Sequence, residues 1–309
     1  MSSGPLSIHL AGVPLTNPIV LAAGTCGYVD EIADALPLSR IGAVTSKSIT
    51  LEPREGNAPW RIVDSPQGML NAIGLANVGL NEFMQKRLPA ARALPCSFFG
   101  SVAGHSVEEY LTVAERFDAA PEIAIVELNV SCPNTSDGLQ FGEHPDALRT
   151  LLRAVKQVVK SKPLSVKLSP NVGDIVAMAR AAVDGGAQAL VVSNTFSAMA
   201  IDVESRAFRL SRGRGGLSGP GIHPIVVRMV HDVYLGVARE AGVPIIGLGG
   251  VCNWRDAAEF ILAGASAVGM GTALFIDPRA PLRVVDGLDA WVRRQGCHSI
   301  AELVGRAGS

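Results

Sequence analysis

The sequence predicts a single-domain (β/α)8 barrel, and three observations predict it. Short apolar runs alternate with longer segments of helical periodicity along all 309 residues. Eight such runs can be placed, each followed by a connection long enough for a crossover. The composition is 48% hydrophobic with only 5% aromatic residues; Gly and Ala are plentiful, and the larger apolar residues are mainly Val, Leu and Ile. Parallel strands buried on both faces read as such continuous aliphatic runs. Strand–helix alternation implies right-handed crossovers, and eight units in this length close into a barrel more readily than they extend an open sheet.

Taken in order, residues 6–17 are expected to form a hairpin closing the bottom of the barrel. Strands are expected over 19–23, 42–48, 97–102, 123–130, 164–168, 189–193, 244–248 and 267–270. Helices are expected over 107–117, 145–159, 172–184, 224–241, 254–263 and 281–293, where apolar residues recur every three or four positions. Capping signals stand at Ser106, His144-Pro145, Asn171, His223-Pro224 and Asn253. Insertions are expected after strands 2, 4 and 6, all within one domain spanning 1–309.

The net charge is −1, and no basic stripe argues for nucleic acid. No apolar run reaches the roughly 18 residues a spanning helix needs. No cationic, apolar leader opens the chain, so a cytoplasmic protein with no membrane contact is expected. Five cysteines at 26, 96, 132, 252 and 297 form no Cys-x-x-Cys pair, which argues against a disulfide framework or a metal centre.

Active sites of such barrels use the C-terminal ends of the strands and the loops beyond them. Those ends read Ala22-Ala23-Gly24-Thr25, Ser46-Lys47-Ser48, Gly100-Ser101-Val102, Asn129-Val-Ser-Cys132-Pro-Asn134, Val166-Lys167-Leu168, Ser193-Asn194-Thr195, Gly247-Leu-Gly249-Gly250 and Gly269-Met-Gly271-Thr272. A lysine inside an apolar strand is costly unless it meets an anion or an electron-rich ligand. Lys47 alone could snorkel to the rim; Lys47 and Lys167 on strands 2 and 5 of one barrel argue for a ligand. The glycine pairs after strands 7 and 8 match the usual barrel phosphate site. A phosphorylated cofactor such as FMN is the expectation. Gly219, in the glycine-rich stretch 212–221, either lies against that cofactor or belongs to a flexible connection. Asn71, Asn129, Asn134 and Asn194 offer carboxamides, which suit a ligand with alternating amide edges such as a pyrimidine. Cys132, stiffened by Pro133, is the candidate base or nucleophile. Cys26 is its competitor, and Cys96, Cys252 and Cys297 look structural.

Seven ordered blocks then resemble one family, dihydroorotate dehydrogenase of class 1. They are Asn17-Pro18 with Ala22-Ala23-Gly24-Thr25, Lys47-Ser48, Asn71-Ala-Ile-Gly-Leu75, Asn129-Val-Ser-Cys132-Pro-Asn134, Gly216-Leu-Ser-Gly-Pro220, Gly249-Gly250 and Gly271-Thr272. The stretch Thr50-Leu-Glu-Pro-Arg-Glu-Gly-Asn57 resembles class 1B, the catalytic subunit that works with an electron-transfer partner. The resemblance implies FMN-dependent oxidation of (S)-dihydroorotate to orotate in pyrimidine biosynthesis. Cys132 would remove the C5 proton, and the C6 hydride would pass to FMN. Lys47 matches a position touching both flavin and substrate. Asn71, Ala72, Ile73, Gly74, Leu75, Asn129, Asn134, Asn194 and Thr195 match the substrate pocket. Ala23, Ser48, Ser101, Asn129, Lys167, Ser193, Gly219, Gly249, Gly250, Gly271 and Thr272 match FMN positions; at 101 the family often carries Asn.

Two other enzymes share much of this pattern: a fumarate-using class 1A dihydroorotate dehydrogenase, and a dihydropyrimidine dehydrogenase-like flavoenzyme. A non-catalytic flavin- or phosphate-binding barrel is a third reading, which Cys132 and the paired lysines argue against. Class 1B implies a homodimer core joined by two subunits carrying FAD and [2Fe–2S], with NAD+ as acceptor. The chain has no cysteine cluster and no GxGxxG fingerprint of its own to hold those centres.

Overall fold

A computed structural model describes residues 4–131 and 141–308. Eight parallel strands form a closed barrel: β1 (Ile19–Leu21), β2 (Ala43–Thr45), β3 (Ser97–Val102), β4 (Ile125–Asn129), β5 (Leu164–Lys167), β6 (Ala189–Val192), β7 (Ile245–Leu248) and β8 (Ala267–Met270). Each strand pairs with its sequence neighbour, and β8 pairs with β1 to close the ring. The expected fold class and all eight strands are present. Two strands match their apolar runs, and the other six are one to four residues shorter, because the ladder gives way to the connecting loops within the apolar run.

Helices α1 (Val107–Asp118), α2 (Pro145–Val158), α3 (Ile175–Asp184), α4 (His223–Val233), α5 (Trp254–Ala263) and α6 (Ala280–Arg294) pack outside. In α2, Leu148, Leu151, Leu152 and Val155 are all buried; each contributes about 1.5–3 kcal/mol relative to exposure. Ser106 caps α1 by accepting from the Glu109 N–H, and Asn253 with Asp256 forms a capping box on α5. Three expected caps are corrected. Asp174, not Asn171, caps α3, accepting from the N–H groups of Val176 and Ala177. His144 and His223 make no cap bond; their helices start with Pro at the first turn instead. The long helix expected over 224–241 is present as one continuous helical run, which widens to π geometry at Tyr234–Ala238 and ends at Ala241.

Which strand residues face the barrel interior follows from two glycines. A Cβ on Gly100 would lie 2.5 Å from the Phe117 ring of α1, so position 100 faces the helices. Phe99 and Ser101 therefore face the interior. Likewise Gly247 abuts Phe260 of α5, which turns Ile246 and Leu248 inward.

An antiparallel hairpin, Ile8–Leu10 with Val13–Leu15, precedes β1 and so lies at the N-terminal end of the barrel. Asn17 ties it there: its Nδ2 donates to the Arg40 carbonyl (2.9 Å) and its Oδ1 accepts from the Ile19 N–H (3.0 Å). At the opposite end, segments following β2 and β6 join into one four-stranded antiparallel sheet. Its order is Phe196–Met199, Arg214–Ser218, Gly68–Asn71, Ile62–Ser65. The glycine-rich stretch is therefore partly a strand of this sheet rather than a plain flexible connection.

Candidate active site

The barrel mouth gathers the strand ends into a connected polar chain. Ser48 Oγ lies 2.9 Å from Ser101 Oγ, both buried. Asn129 Nδ2 donates to Ser48 Oγ (3.2 Å), and Asn194 Nδ2 donates to Asn129 Oδ1 (3.2 Å). Asn194 Oδ1 accepts from the Thr195 N–H (2.8 Å). Residues from β2, β3, β4 and β6 thus share one network. The Tyr110 hydroxyl holds it from outside, donating to the Asn129 carbonyl at 2.8 Å. Such a network fixes the amide orientations before any ligand arrives.

Lys47 follows β2, and Lys167 ends β5. Lys167 is 6% exposed, and neither ammonium forms an ion pair or hydrogen bond with a described residue. Burial lowers the Lys47 pKa, and the Lys167 charge lowers it further. Burial also lowers that of Lys167, against an opposing pull from Glu127. Gly24 (φ +78°) approaches Lys47 so closely that a Cβ there would lie 3.2 Å from Nζ. The loop after β1 therefore lies over the lysine of β2.

Glu127 is a residue the sequence reading missed. It lies on β4 two positions before Asn129, hence on the same face, and is 4% exposed. Burial raises its pKa, against opposing effects from Lys167 and a hydrogen bond with Ser101. Its Oε1 has no hydrogen-bond partner among the described residues. Three ionisable side chains thus reach into a barrel interior whose other members are uncharged.

Gly249, Gly250, Gly271 and Thr272 come together with the 218–219 turn. Thr272 Oγ1 donates to Ser218 Oγ (2.8 Å). A Cβ on Gly250 (φ +72°) would lie 2.8 Å from the Gly219 carbonyl, and one on Gly219 (φ +103°) only 2.6 Å from Gly68 Cα. Only glycine fits such approaches. The N–H groups of Gly250, Gly271 and Thr272 meet no acceptor among the described residues.

The segment Asn71–Leu75 crosses the mouth from the four-stranded sheet. Its carbonyls are occupied: Ala72 accepts from Asn57 Nδ2 (2.8 Å), Ile73 from the Asn57 N–H (3.0 Å) and Leu75 from Asn77 Nδ2 (2.7 Å). The N–H groups of Ile73, Gly74 and Leu75 meet no described acceptor. Gly74 (φ +75°) and Leu75 (φ +56°) are both left-handed. Three consecutive amides without a described acceptor are available to an anion. Asn71 Nδ2 donates to the Gly216 carbonyl at 3.2 Å. Ala23 and Ser193 stand at the ends of β1 and β6, and Ser193 Oγ donates to the Asn194 carbonyl (3.0 Å).

Cys132 and Asn134 lie outside the described residues. The segment's flanks are close together, since a Cβ on Gly142 would lie 2.6 Å from the Val130 carbonyl. Of the other cysteines, Cys26 is buried and its pKa is pushed up to about 12, by burial first and Glu31 second. Burial pushes Cys96 to about 11 and raises Cys252. These three are held as thiols at neutral pH, which removes Cys26 as a competitor for the base.

These residues fit a phosphorylated flavin: two lysines drawn into the barrel mouth with one carboxylate between them, glycines at 219, 249 and 250 too closely approached for a Cβ, and unmet N–H groups on both sides. A family model described as dihydroorotate dehydrogenase matches residues 5–292. Over 306 residues the chain is 44% identical to "Dihydroorotate dehydrogenase B (NAD(+)), catalytic subunit" of Geotalea uraniireducens, covering 99% of both chains. The protein of the same name from Geobacter sulfurreducens is likewise 44% identical over 306 residues, with 99% of both chains covered. That of Pelobacter propionicus is 45% identical over 301 residues, with 97% of both covered. The chain belongs to the dihydroorotate dehydrogenase family.

Proposed function

We propose that the chain oxidises (S)-dihydroorotate to orotate with one FMN, in pyrimidine (UMP) biosynthesis, and that its electrons reach NAD+ through a partner subunit carrying FAD and [2Fe–2S]. One observation carries the reading. Half-buried Lys47 and buried Lys167, neither in an ion pair with a described residue, share the barrel mouth with the free amides of 73–75 and a phosphate cradle of Gly249, Gly250, Gly271 and Thr272. A flavin phosphate suits the cradle, and a substrate carboxylate suits the free amides.

In this reading Gly219, Gly249, Gly250, Gly271 and Thr272 hold the phosphate. Ala23, Ser48, Ser101, Asn129, Lys167 and Ser193 line the flavin ring, and Lys47 lies between ring and substrate. Asn71, the amides of residues 72–75, Asn129, Asn134, Asn194 and Thr195 orient the pyrimidine. Bound FMN supplies the hydride acceptor. Cys132 takes the C5 proton, a task that needs a thiolate near working pH. The fixed carboxamides of Asn129 and Asn194 limit how the ring can sit, so that C5 stays in reach of the base.

The 44–45% relatives named for NAD(+) support the class 1B arrangement. Exposed Trp60 (74%), Val203 (78%) and Phe208 (58%), with Met199 and Ile201, gather on the insertions after β2 and β6. They support a self-associating face, hence a homodimer core with two partner subunits. No helix is long and apolar enough to cross a membrane among the described residues, which agrees with a cytoplasmic enzyme.

The test uses the purified chain reconstituted with FMN. Dihydroorotate should bleach the flavin anaerobically, whereas dihydrouracil should not. Turnover with NAD+ should require the partner. Efficient turnover of the isolated chain with fumarate would overturn the class 1B arrangement, and failure to bind FMN would overturn the flavin reading.

A further inference from the structure

We propose that His223 is a cationic latch on the phosphate-binding turn: a doubly protonated imidazole that fixes the Gly249 carbonyl and gives the site its preference for a phosphorylated flavin. The inference rests on the FMN reading above and assigns a positioning residue to it.

His223 opens α4 and is 8% exposed. Its Nδ1 lies 2.8 Å from the Gly249 carbonyl oxygen, and its Nε2 lies 3.1 Å from Glu259 Oε2 on α5. The Phe260 ring packs edge-on against it, centroids 4.9 Å apart at 75°. Both polar partners are acceptors: a peptide carbonyl and a carboxylate. A neutral imidazole has one N–H, so one of the two contacts would set lone pair against lone pair. The imidazolium donates to both, and Glu259 supplies its counter-charge.

The consequence for the turn follows from peptide geometry. In a trans peptide the C=O of one residue and the N–H of the next point in opposite directions. Fixing the Gly249 carbonyl on His223 therefore aims the Gly250 N–H away from His223. That N–H has no described acceptor. The turn packs closely against the latch: a Cβ on Gly250 would lie 2.7 Å from His223 Cβ and 2.8 Å from the Gly219 carbonyl. His223 thus orients an anion-binding amide and sets a positive charge behind it. A phosphomonoester gains from both; an uncharged ribityl alcohol gains from neither.

The test titrates the apoprotein with FMN and with riboflavin, read by quenching of flavin fluorescence. H223Q keeps a donor for Gly249 but carries no charge. Its FMN affinity should fall about tenfold, the size of one charge-assisted contact, while riboflavin affinity stays unchanged. H223K, which restores a cation, should recover the preference for FMN. Equal weakening of both flavins would reveal a merely structural histidine and overturn the proposal, as would unchanged FMN binding by H223Q. A second measurement needs no variant: nitrogen NMR of histidine-labelled apoprotein at neutral pH should show both His223 ring nitrogens protonated. One unprotonated nitrogen would overturn the latch. If the wild-type apoprotein bound FMN no better than riboflavin, the phosphate-site reading itself would fall, and the latch with it.

Discussion

Replacing Lys167 and Glu127 together by Met and Gln should stabilise the apoprotein while weakening its hold on flavin. Lys167 and Glu127 are 6% and 4% exposed on adjacent strands. They influence each other's titration, yet Glu127 Oε1 has no hydrogen-bond partner among the described residues. Burying both charges is therefore poorly compensated, and apolar or neutral replacements of similar volume are often stabilising by about 1–4 kcal/mol. Taking about 2 kcal/mol, Tm should rise by a few degrees in a chain of this size. Lys167→Met alone should gain less, because Glu127 is then left without its cation and must take up a proton. Under the proposed function, loss of this ammonium should cost roughly 1.5–3 kcal/mol of flavin binding, about ten- to a hundredfold in Kd. Urea melts of the apoprotein and FMN titrations of the same preparations measure the two effects. A double variant that is less stable than wild type, or one that binds FMN normally, would refute the argument that these charges are kept for a ligand.

Asn129→Leu removes the donor to Ser48 and the acceptor for Asn194; the stranded partners should cost about 1–3 kcal/mol, seen as slower anaerobic flavin reduction and a higher KM for dihydroorotate. Gly219→Ala places a Cβ 2.6 Å from Gly68 Cα at φ +103°, so it should lower Tm and abolish FMN retention together; a normal Tm with normal flavin content would contradict the close approach. Cys132→Ser should slow flavin reduction by about 10²-fold or more, whereas Cys26→Ser should not, since the Cys26 thiol is held at about 12. Glu127 has a raised folded pKa, so the folded state keeps a proton that the unfolded state releases. Apoprotein stability should therefore decline as pH rises above the ordinary glutamate value toward the folded one, and Glu127→Gln should flatten that decline in urea melts.

The barrel was legible because aliphatic runs and helical periodicity report burial directly, and burial decides these elements. The four-stranded sheet over the mouth was not, and its central strand shows why. Arg214–Ser218 carries Gly215 and Gly216, residues with little strand propensity. Glycine is required there by contact instead. A Cβ at 216 would lie 1.9 Å from Thr195 Oγ1, and one at 215 would lie 2.4 Å from the Asn71 carbonyl. Such a constraint belongs to segments distant in sequence, so no local pattern reveals it. Asn171 misled for a related reason. Its side chain donates to the Thr195 carbonyl and accepts from the Ser197 N–H, tying the loop after β5 to the one after β6, while Asp174 takes the cap.

The site was legible wherever a residue contradicted its surroundings. Lys47 and Lys167 stood out as cations in apolar runs, and the same rule applied to 123–130 would have found Glu127. Its omission matters, because the three groups make sense only together. Two ammonium groups and one carboxylate leave a single positive charge without a match in the barrel mouth. Burial opposes all three charges at once, lowering both lysines and raising the glutamate. A protein selected for stability alone would fill these positions with aliphatic residues, as it does at Ile125 on the same face of β4. Retaining them implies a partner that brings one negative charge and enough contact to offset the burial. A flavin taking up a hydride has that character; in the proposed function the glycine cradle would meet its phosphate with backbone amides, leaving the lysines to the ring.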